Sequence, residues 1–469
     1  MGLNKVSKNE KLIVSRLKSN QAMDFFSMYK EQRKNPANRS GLSGNTMNPD
    51  IYLRPLKFNM ESTQGMYTIQ GIDVLKLASQ FGTPLYVYDG AKIASQVSKL
   101  KSAYAASDVK IKYAAKALTN ISILKLMRKN GVGMEAVSLG EVQLALRAGY
   151  LPAEITFTPS GVDFNEIEEA VKIGIAINLD NLSTLQKFGA KFKDTYPCGL
   201  RLNPNIMAGG NIKISTGHSN SKFGISVLQL SEILDLIKKF NVRISGLHIH
   251  TGSDIKETEA FLKTAEVLFK TAKSFPDLKF LDFGSGFKVA YKEGDIETDI
   301  QELGDKLTKA FNEFCESYGR QLELWLEPGK FLVSESGTLL VQSTVVKPTP
   351  TVTFVSVNSG LNHLIRPMMY DAYHHIVNIS NSTAPVDKYT VVGYICETDT
   401  FGSDRELNEV REGDILAFKN AGAYGFSMAS NYNSRPKPAE VLIINGEAKL
   451  IRERETFEDL LKGQVEVDF

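Results

Sequence analysis

The stretch Ile244–Gly252, ISGLHIHTG, sets the fold. It opens apolar and closes on histidine, threonine and glycine, as a buried strand does when its last residues leave the hydrophobic layer. Seven further stretches read the same way: IKYAAKA (111–117), VGMEAVS (132–138), ITFTPS (155–160), AINLD (176–180), CGLRLNP (198–204), FLDFGSG (280–286) and ELWLEPG (323–329). Amphipathic helical stretches separate them, among them ISVLQLSEILDLIKKF (225–240) and TEAFLKTAEVLFKTAKSF (258–275). Eight strand–helix units over about 250 residues are the signature of an α/β chain closed into a (β/α)8 barrel. An open doubly wound sheet can use the same units. The polar strand ends favour the barrel, because there they converge on one face.

Outward from this region the pattern changes. Beyond Gly329 the stretches FLVSESGTLLVQSTVVKP, TVTFVSVNSG, KYTVVGYICETD, GDILAFKNAGAY and PAEVLIINGEAKLI are β-rich with turns between them. They predict a C-terminal all-β domain over 331–469, sandwich- or barrel-like. The barrel is expected over 83–330, with residues 66–82 supplying a strand and a helix that lead into it. Residues 1–65 are polar and aperiodic and read as a disordered extension outside the fold.

Of 469 residues, 42% are hydrophobic and 23% charged, the balance of a chain with a substantial core. A net charge of +2 gives no reason to expect nucleic acid or an anionic membrane as partner. No apolar run approaches the roughly 20 residues that span a bilayer. The N-terminus lacks the apolar run of a secretory signal. Three cysteines (Cys198, Cys315 and Cys396) make no disulfide framework and fit a reducing cytoplasm.

Several residues carry reactive chemistry. Lys116 follows apolar β residues at the catalytic face, where partial burial would lower its pKa and make it a nucleophile able to form a Schiff base. Alone it reads more readily as a surface lysine. FGSGF (283–287) follows the seventh strand, where loops of this barrel commonly hold phosphate; a tight turn is the plain alternative. Glu327 ends the eighth strand and can hold a pyridine nitrogen protonated, or serve only as a cap or ion-pair partner. His250 can stack on a flat ring and Ser253 can donate to phosphate, although a lone histidine here is more often satisfied core. His248 and His250 invite a metal. No cysteine, carboxylate or third histidine stands at ligand spacing, so no metal is expected. Arg366 and Tyr370 pair a carboxylate binder with a hydroxyl, or pack on the surface. Cys396, in YICETD, reads as a strand cysteine followed by unusually polar neighbours. GAYGFSMASNYN (422–433) gathers small residues around Tyr424, a sign that backbone approaches a ligand or partner closely.

YAAKA, HTGS, the glycine loop, EPGK, IRPMMY, CETD and GAYGFSMASNYN resemble, in this order, the alanine-racemase-like decarboxylases that use pyridoxal phosphate, and RLNPNI and SKFG are also typical of them. The last motifs of the β domain look most like diaminopimelate decarboxylase. The resemblance covers about residues 66–469. It implies that Lys116 holds the cofactor aldehyde, Glu327 the pyridine nitrogen, and His250 the ring face. Ser253, Gly284, Ser285 and Gly286 would hold the phosphate. Arg366, Tyr370, Glu397 and Tyr424 would hold the distal end of an amino-acid substrate and the cofactor. Cys396, from the neighbouring subunit of a homodimer, would supply a proton. The implied reaction is decarboxylation of meso-2,6-diaminopimelate to L-lysine and CO2, the last step of lysine biosynthesis. Three positions depart from the family. Lys330 replaces an arginine that meets a substrate carboxylate, Ser285 a glycine, and Glu135 an aspartate. Two other readings compete. One is a sibling enzyme acting on ornithine, lysine, arginine or carboxynorspermidine. The other is a non-catalytic homologue that merely binds the cofactor, which would be expected to lack Lys116 or Cys396.

Overall fold

The computed structural model describes residues 60–63, 65–206 and 216–469. Most of the expected extension over 1–65 therefore lies outside the described residues. Glu61–Thr63, at its end, is a strand paired antiparallel with Met66–Ile69.

Eight strands form the barrel: β1 (Val109–Ala114), β2 (Gly133–Ala136), β3 (Ile155–Phe157), β4 (Ala176–Leu179), β5 (Cys198–Asn203), β6 (Ile244–Ile249), β7 (Phe280–Asp282) and β8 (Glu323–Leu326). All neighbours are parallel, and β8 closes on β1 through Leu324↔Val109 and Leu326↔Ile111. The expected (β/α)8 barrel is thus observed. Alternation with period two explains the sequence pattern. Ile111, Tyr113, Met134, Phe157, Leu179, Leu200, Leu247, Leu281 and Leu324 join the core outside the sheet. The alternate positions Glu135, Thr158, Asn178, Arg201, His248, Asp282 and Glu327 are buried polar side chains inside it. Lower down, the rings of Phe280 and Trp325 stack at 3.6 Å and plug the barrel. Helices start on side-chain caps from Asn120, Ser138, Asp163, Asn181 and Asp299, whose oxygens accept backbone N–H bonds. The helical stretch expected from Ile225 begins later. Ile225–Ser226 adds a short strand beside β5, and the helix runs from Leu230 to Phe240.

The eighth place in the helical shell is filled from outside the repeat. Only a short helix, Lys330–Val333, follows β8, and Gly90–Ala103 packs beside Ile300–Tyr318 instead. A Cβ on Gly304 would lie 2.1 Å from the Ala103 carbonyl oxygen, so the two helices touch backbone to backbone.

The β domain is not confined to the C-terminus. Strand Leu85–Asp89, expected within the barrel, pairs antiparallel with Gly337–Leu340 and parallel with Ala439–Ile443. Helix Val74–Phe81 joins it, burying Val74 and Leu77 with Leu85, Val87, Val441 and Ile443. The segment 66–82 therefore completes the β domain rather than the barrel. The hub of this domain is the long strand Gly337–Pro348, which pairs with Thr353–Val357, Ile415–Phe418 and Leu85–Asp89.

Candidate active site

The polar interior positions open at the C-terminal end of the barrel into a cavity of about 520 Å³ of empty space. Lys116 stands in it on a single turn, Ala115–Ala117, just past β1. Its Nζ lies 3.6 Å from Glu135 Oε2, with 43% of the lysine side chain open to the cavity and Glu135 buried. Burial pushes the ammonium down, but Glu135, Tyr424 and Glu327 more than offset it, so the pKa is raised. The expectation of a lowered pKa fails for this reason: the carboxylates outweigh desolvation. Burial and the nearby Glu327 in turn push Glu135 up to about 7 despite Lys116.

The turn after β7 is built for close approach. Gly284 (φ +59°) and Gly286 (φ +121°) occupy conformations that side chains avoid. A Cβ on Gly286 would sit 2.3 Å from the Gly252 carbonyl oxygen, and one on Gly284 2.7 Å from His250 Nδ1. The Ser285 N–H donates to His250 Nδ1 at 3.3 Å. Burial, then Arg201 and Lys116, push His250 well down, which makes it a neutral, flat imidazole. Ser253, Ser285 and Gly286 line the same cavity.

Opposite Lys116, Glu327 Oε2 lies 3.0 Å from His248 Nε2. Burial favours protonated Glu327, but His248, Lys116 and Asp282 outweigh it and hold the carboxyl below its ordinary range. Burial lowers His248 as well, so it faces Glu327 as a neutral N–H donor. Asp282 joins them: ligand atoms of His248, Asp282 and Glu327 all lie within 4.8 Å of one another. The sequence argument that no carboxylate accompanies the histidines fails in three dimensions, because β6, β7 and β8 are neighbours in the barrel.

The β domain closes the cavity. Tyr424 (φ +55°) lines it, and its backbone N–H donates to the Ala117 carbonyl at 2.8 Å. The Ser427 hydroxyl donates to the same carbonyl at 3.1 Å. The small residues around Tyr424 serve the chain's own packing: a Cβ on Gly422 would lie 1.8 Å from the Val333 carbonyl oxygen. Lys330 lines the cavity and is ion-paired with Asp254; burial lowers it to about 8 against the pull of that carboxylate. Arg366 is buried behind Tyr424, its guanidinium carbon 5.9 Å from the Tyr424 ring and 5.5 Å from the Tyr291 ring. Its Nη2 donates to the Tyr291 hydroxyl at 3.4 Å, and its Nε is buried without a partner.

Lys116, His250, Ser253, Ser285, Gly286, Glu327, Lys330 and Tyr424 therefore share one cavity, with Gly284 at its edge. Tyr370, Cys396 and Glu397 do not line it. Cys396 is exposed, on a loop between Val386–Val392 and Thr400–Asn408 rather than in a strand. Its Sγ lies 3.3 Å from Asn433 Oδ1, and the Tyr432 hydroxyl donates to Glu397 at 2.9 Å. Arg201, Thr158 and Tyr291 were missed. The first two stand on inward positions of β5 and just past β3, and strand parity would have found them. Tyr291 lies in the long loop after β7, where no periodicity applies.

Residues 90–334 match the model of the family described as pyridoxal-dependent decarboxylase, pyridoxal binding domain. The diaminopimelate decarboxylase of Methanothermobacter thermautotrophicus is 37% identical over 411 residues, covering 86% of this chain and 96% of that protein. The diaminopimelate decarboxylase of Escherichia coli strain K12 is 36% identical, covering 83% and 95%. The chain belongs to the diaminopimelate decarboxylase family. The crystal structure of the Helicobacter pylori diaminopimelate decarboxylase complexed with L-lysine superposes with a TM-score of 0.76 at 34% identity, covering 83% of this chain and 98% of that one. The cofactor of the family is pyridoxal phosphate, and the site fits it. The cavity offers an amine, a carboxylate whose Oε1 is buried without a hydrogen-bond partner, a neutral imidazole, and a glycine turn that excludes any Cβ.

Proposed function

We propose that this chain decarboxylates meso-2,6-diaminopimelate to L-lysine and CO2, closing lysine biosynthesis in the cytoplasm. Arg366 carries the choice of substrate. It is buried beside the cavity wall and pairs with no carboxylate among the described residues. Lys330 and Lys288 are each ion-paired with an aspartate, Asp254 and Asp295. A buried guanidinium without a carboxylate partner is matched to one on a ligand. Diaminopimelate has a second carboxylate to offer, and ornithine and lysine have none.

Pyridoxal phosphate supplies the electron-withdrawing ring that stabilises the electron pair left when CO2 departs. The chain's residues do the rest. Lys116 would hold the cofactor by its aldehyde. Glu327, kept ionised, would keep the pyridine nitrogen protonated, and His250 would pack against the ring. Ser253, Gly284, Ser285 and Gly286 bind the phosphate. Arg366, Tyr370, Lys330 and Tyr424 would fix the distal amino-acid end and so orient the bond to be broken. Cys396 then gives a proton at the carbon that lost CO2, with Glu397 beside it. Both sit on an exposed loop outside the cavity of their own chain, which supports a homodimer in which each site takes this loop from the partner subunit. Among the described residues no helix is long and apolar enough to cross a membrane.

The test is CO2 release from a panel of meso-diaminopimelate, ornithine, lysine, arginine and carboxynorspermidine. Higher kcat/KM for meso-diaminopimelate supports the assignment. Preference for ornithine or lysine rejects it.

A further inference from the structure

Two carboxyl groups, Asp282 and Glu327, meet at the base of the cavity, and only Glu327 has a role so far. Asp282 is wholly buried on the inward face of β7. Its Oδ1 accepts the Gly284 N–H at 2.8 Å, and its Oδ2 is buried with no backbone or neutral side-chain partner among the described residues. The charged and titratable groups facing it are Glu327 on β8, His248 on β6, Glu135 on β2, Lys112 on β1 and Arg201 on β5. Two carboxylates at this separation, away from water, do not both ionise. Glu327 Oε2 has His248 Nε2 at 3.0 Å and Lys116 across the cavity, whereas Asp282 has one backbone N–H. The shared proton therefore belongs on Asp282. Burial and Glu327 push Asp282 well up while Glu327 is held down, in agreement with this division.

Resting on the reading of Glu327 as the partner of the pyridine nitrogen, we propose that Asp282 is a positioning residue whose neutral carboxyl donates a hydrogen bond to Glu327. The same side chain takes the Gly284 N–H, and the Glu327 N–H donates to the Gly284 carbonyl at 2.7 Å. Asp282 thus ties the ring-binding carboxylate to the phosphate turn and fixes the distance between the two ends of the cofactor cradle.

The experiment compares Asp282→Asn, Asp282→Ala and Glu327→Gln in the full chain. Pyridoxal phosphate is the probe, and the readouts are its dissociation constant and the pH midpoint of its visible absorbance when bound. Asparagine keeps a donor toward Glu327 and an acceptor toward Gly284. A neutral donor predicts that Asp282→Asn stays within about threefold of the unmodified protein with the same midpoint. It predicts that Asp282→Ala weakens the cofactor by about tenfold or more and moves the midpoint, the loss of one hydrogen bond to a charged group. If Asp282→Ala fails to fold, Asp282→Asn decides alone. An Asn variant that loses the cofactor or shifts the midpoint overturns the proposal, since it would mean the aspartate works as an anion. A stoichiometric metal ion in the purified protein would overturn it also. Glu327→Gln separates the two levels: if it leaves affinity and midpoint unchanged, the reading of Glu327 fails and takes Asp282 with it. If Glu327→Gln moves both while Asp282→Ala moves neither, Asp282 alone fails.

Discussion

The backbone N–H of Tyr424 donates to the carbonyl of Ala117, one residue beyond Lys116, at 2.8 Å. The β domain is therefore bonded directly to the turn that presents the reactive amine. A non-glycine residue is held at φ +55° to make the contact, a conformation that costs of order 1 kcal/mol and persists only where the surroundings enforce it.

The roles of Lys116 and Cys396 are separable. Lys116→Ala should abolish covalent attachment of the cofactor, read by its visible absorbance, and with it turnover. Cys396→Ala should keep the absorbance and slow product formation by about 10²- to 10⁴-fold. Because Cys396 lies outside the cavity of its own chain, mixing the two inactive variants should restore activity through hybrid dimers. Failure of mixed subunits to recover activity counts against a site shared between chains.

Arg366→Gln should raise KM for meso-diaminopimelate by about 10- to 100-fold with a smaller change in kcat, the loss of a charge-assisted bond made in ground and transition states alike. A kcat loss at constant KM would move Arg366 from binding to chemistry.

Lys330 gives the site an alkaline limit. Burial brings its pKa to about 8, so it is a cation below that pH and neutral above it. KM for an anionic substrate should therefore rise as pH climbs through about 8. Lys330→Arg, which stays charged, should carry the plateau to higher pH. Identical pH profiles for the two proteins would exclude Lys330 from substrate binding.

Acid should destabilise the β domain. Burial lowers His363 to about 4 and His374 to about 3 from an ordinary 6.5. Between those values the unfolded chain binds more protons than the folded one, so stability is full above 6.5 and falls as pH drops toward 4. The contribution from His363 is of order 3 kcal/mol. His374→Gln should flatten the fall of the melting temperature between pH 6.5 and 4. An unaltered slope would mean that other groups govern it.

Gly422→Ala should destabilise the chain by about 1–3 kcal/mol, because the added methyl would strike the Val333 carbonyl oxygen at 1.8 Å. Thermal unfolding measures it, and an unchanged melting temperature would show that the Val333–Gly337 segment can yield.

The barrel was legible because each strand carries its own evidence: apolar residues facing the helices and one or two polar residues at the mouth. Lys116, His250, Gly286 and Glu327 could be found on that basis. Strand Leu85–Asp89 could not be assigned, since LYVYD is apolar in either domain and its partners, Gly337–Leu340 and Ala439–Ile443, lie hundreds of residues away in sequence. The protonation of Lys116 was misjudged for a related reason. Burial was foreseeable from its place, but Glu135 comes from another strand. The companionship of His248, Asp282 and Glu327 likewise depends on the order of strands around the ring, which no spacing in sequence expresses.

That Leu85–Asp89 sits at the middle of the β domain makes the barrel an insert within it. The chain lays down a central strand, departs for some 250 residues, and returns to pair on both edges of that strand. The β domain cannot be excised as a continuous gene segment, and a fragment ending after β8 would expose the bare hydrogen-bonding edges of Leu85–Asp89, an open template for aggregation. During synthesis one edge of this strand must wait, unpaired, until almost the whole polypeptide has emerged.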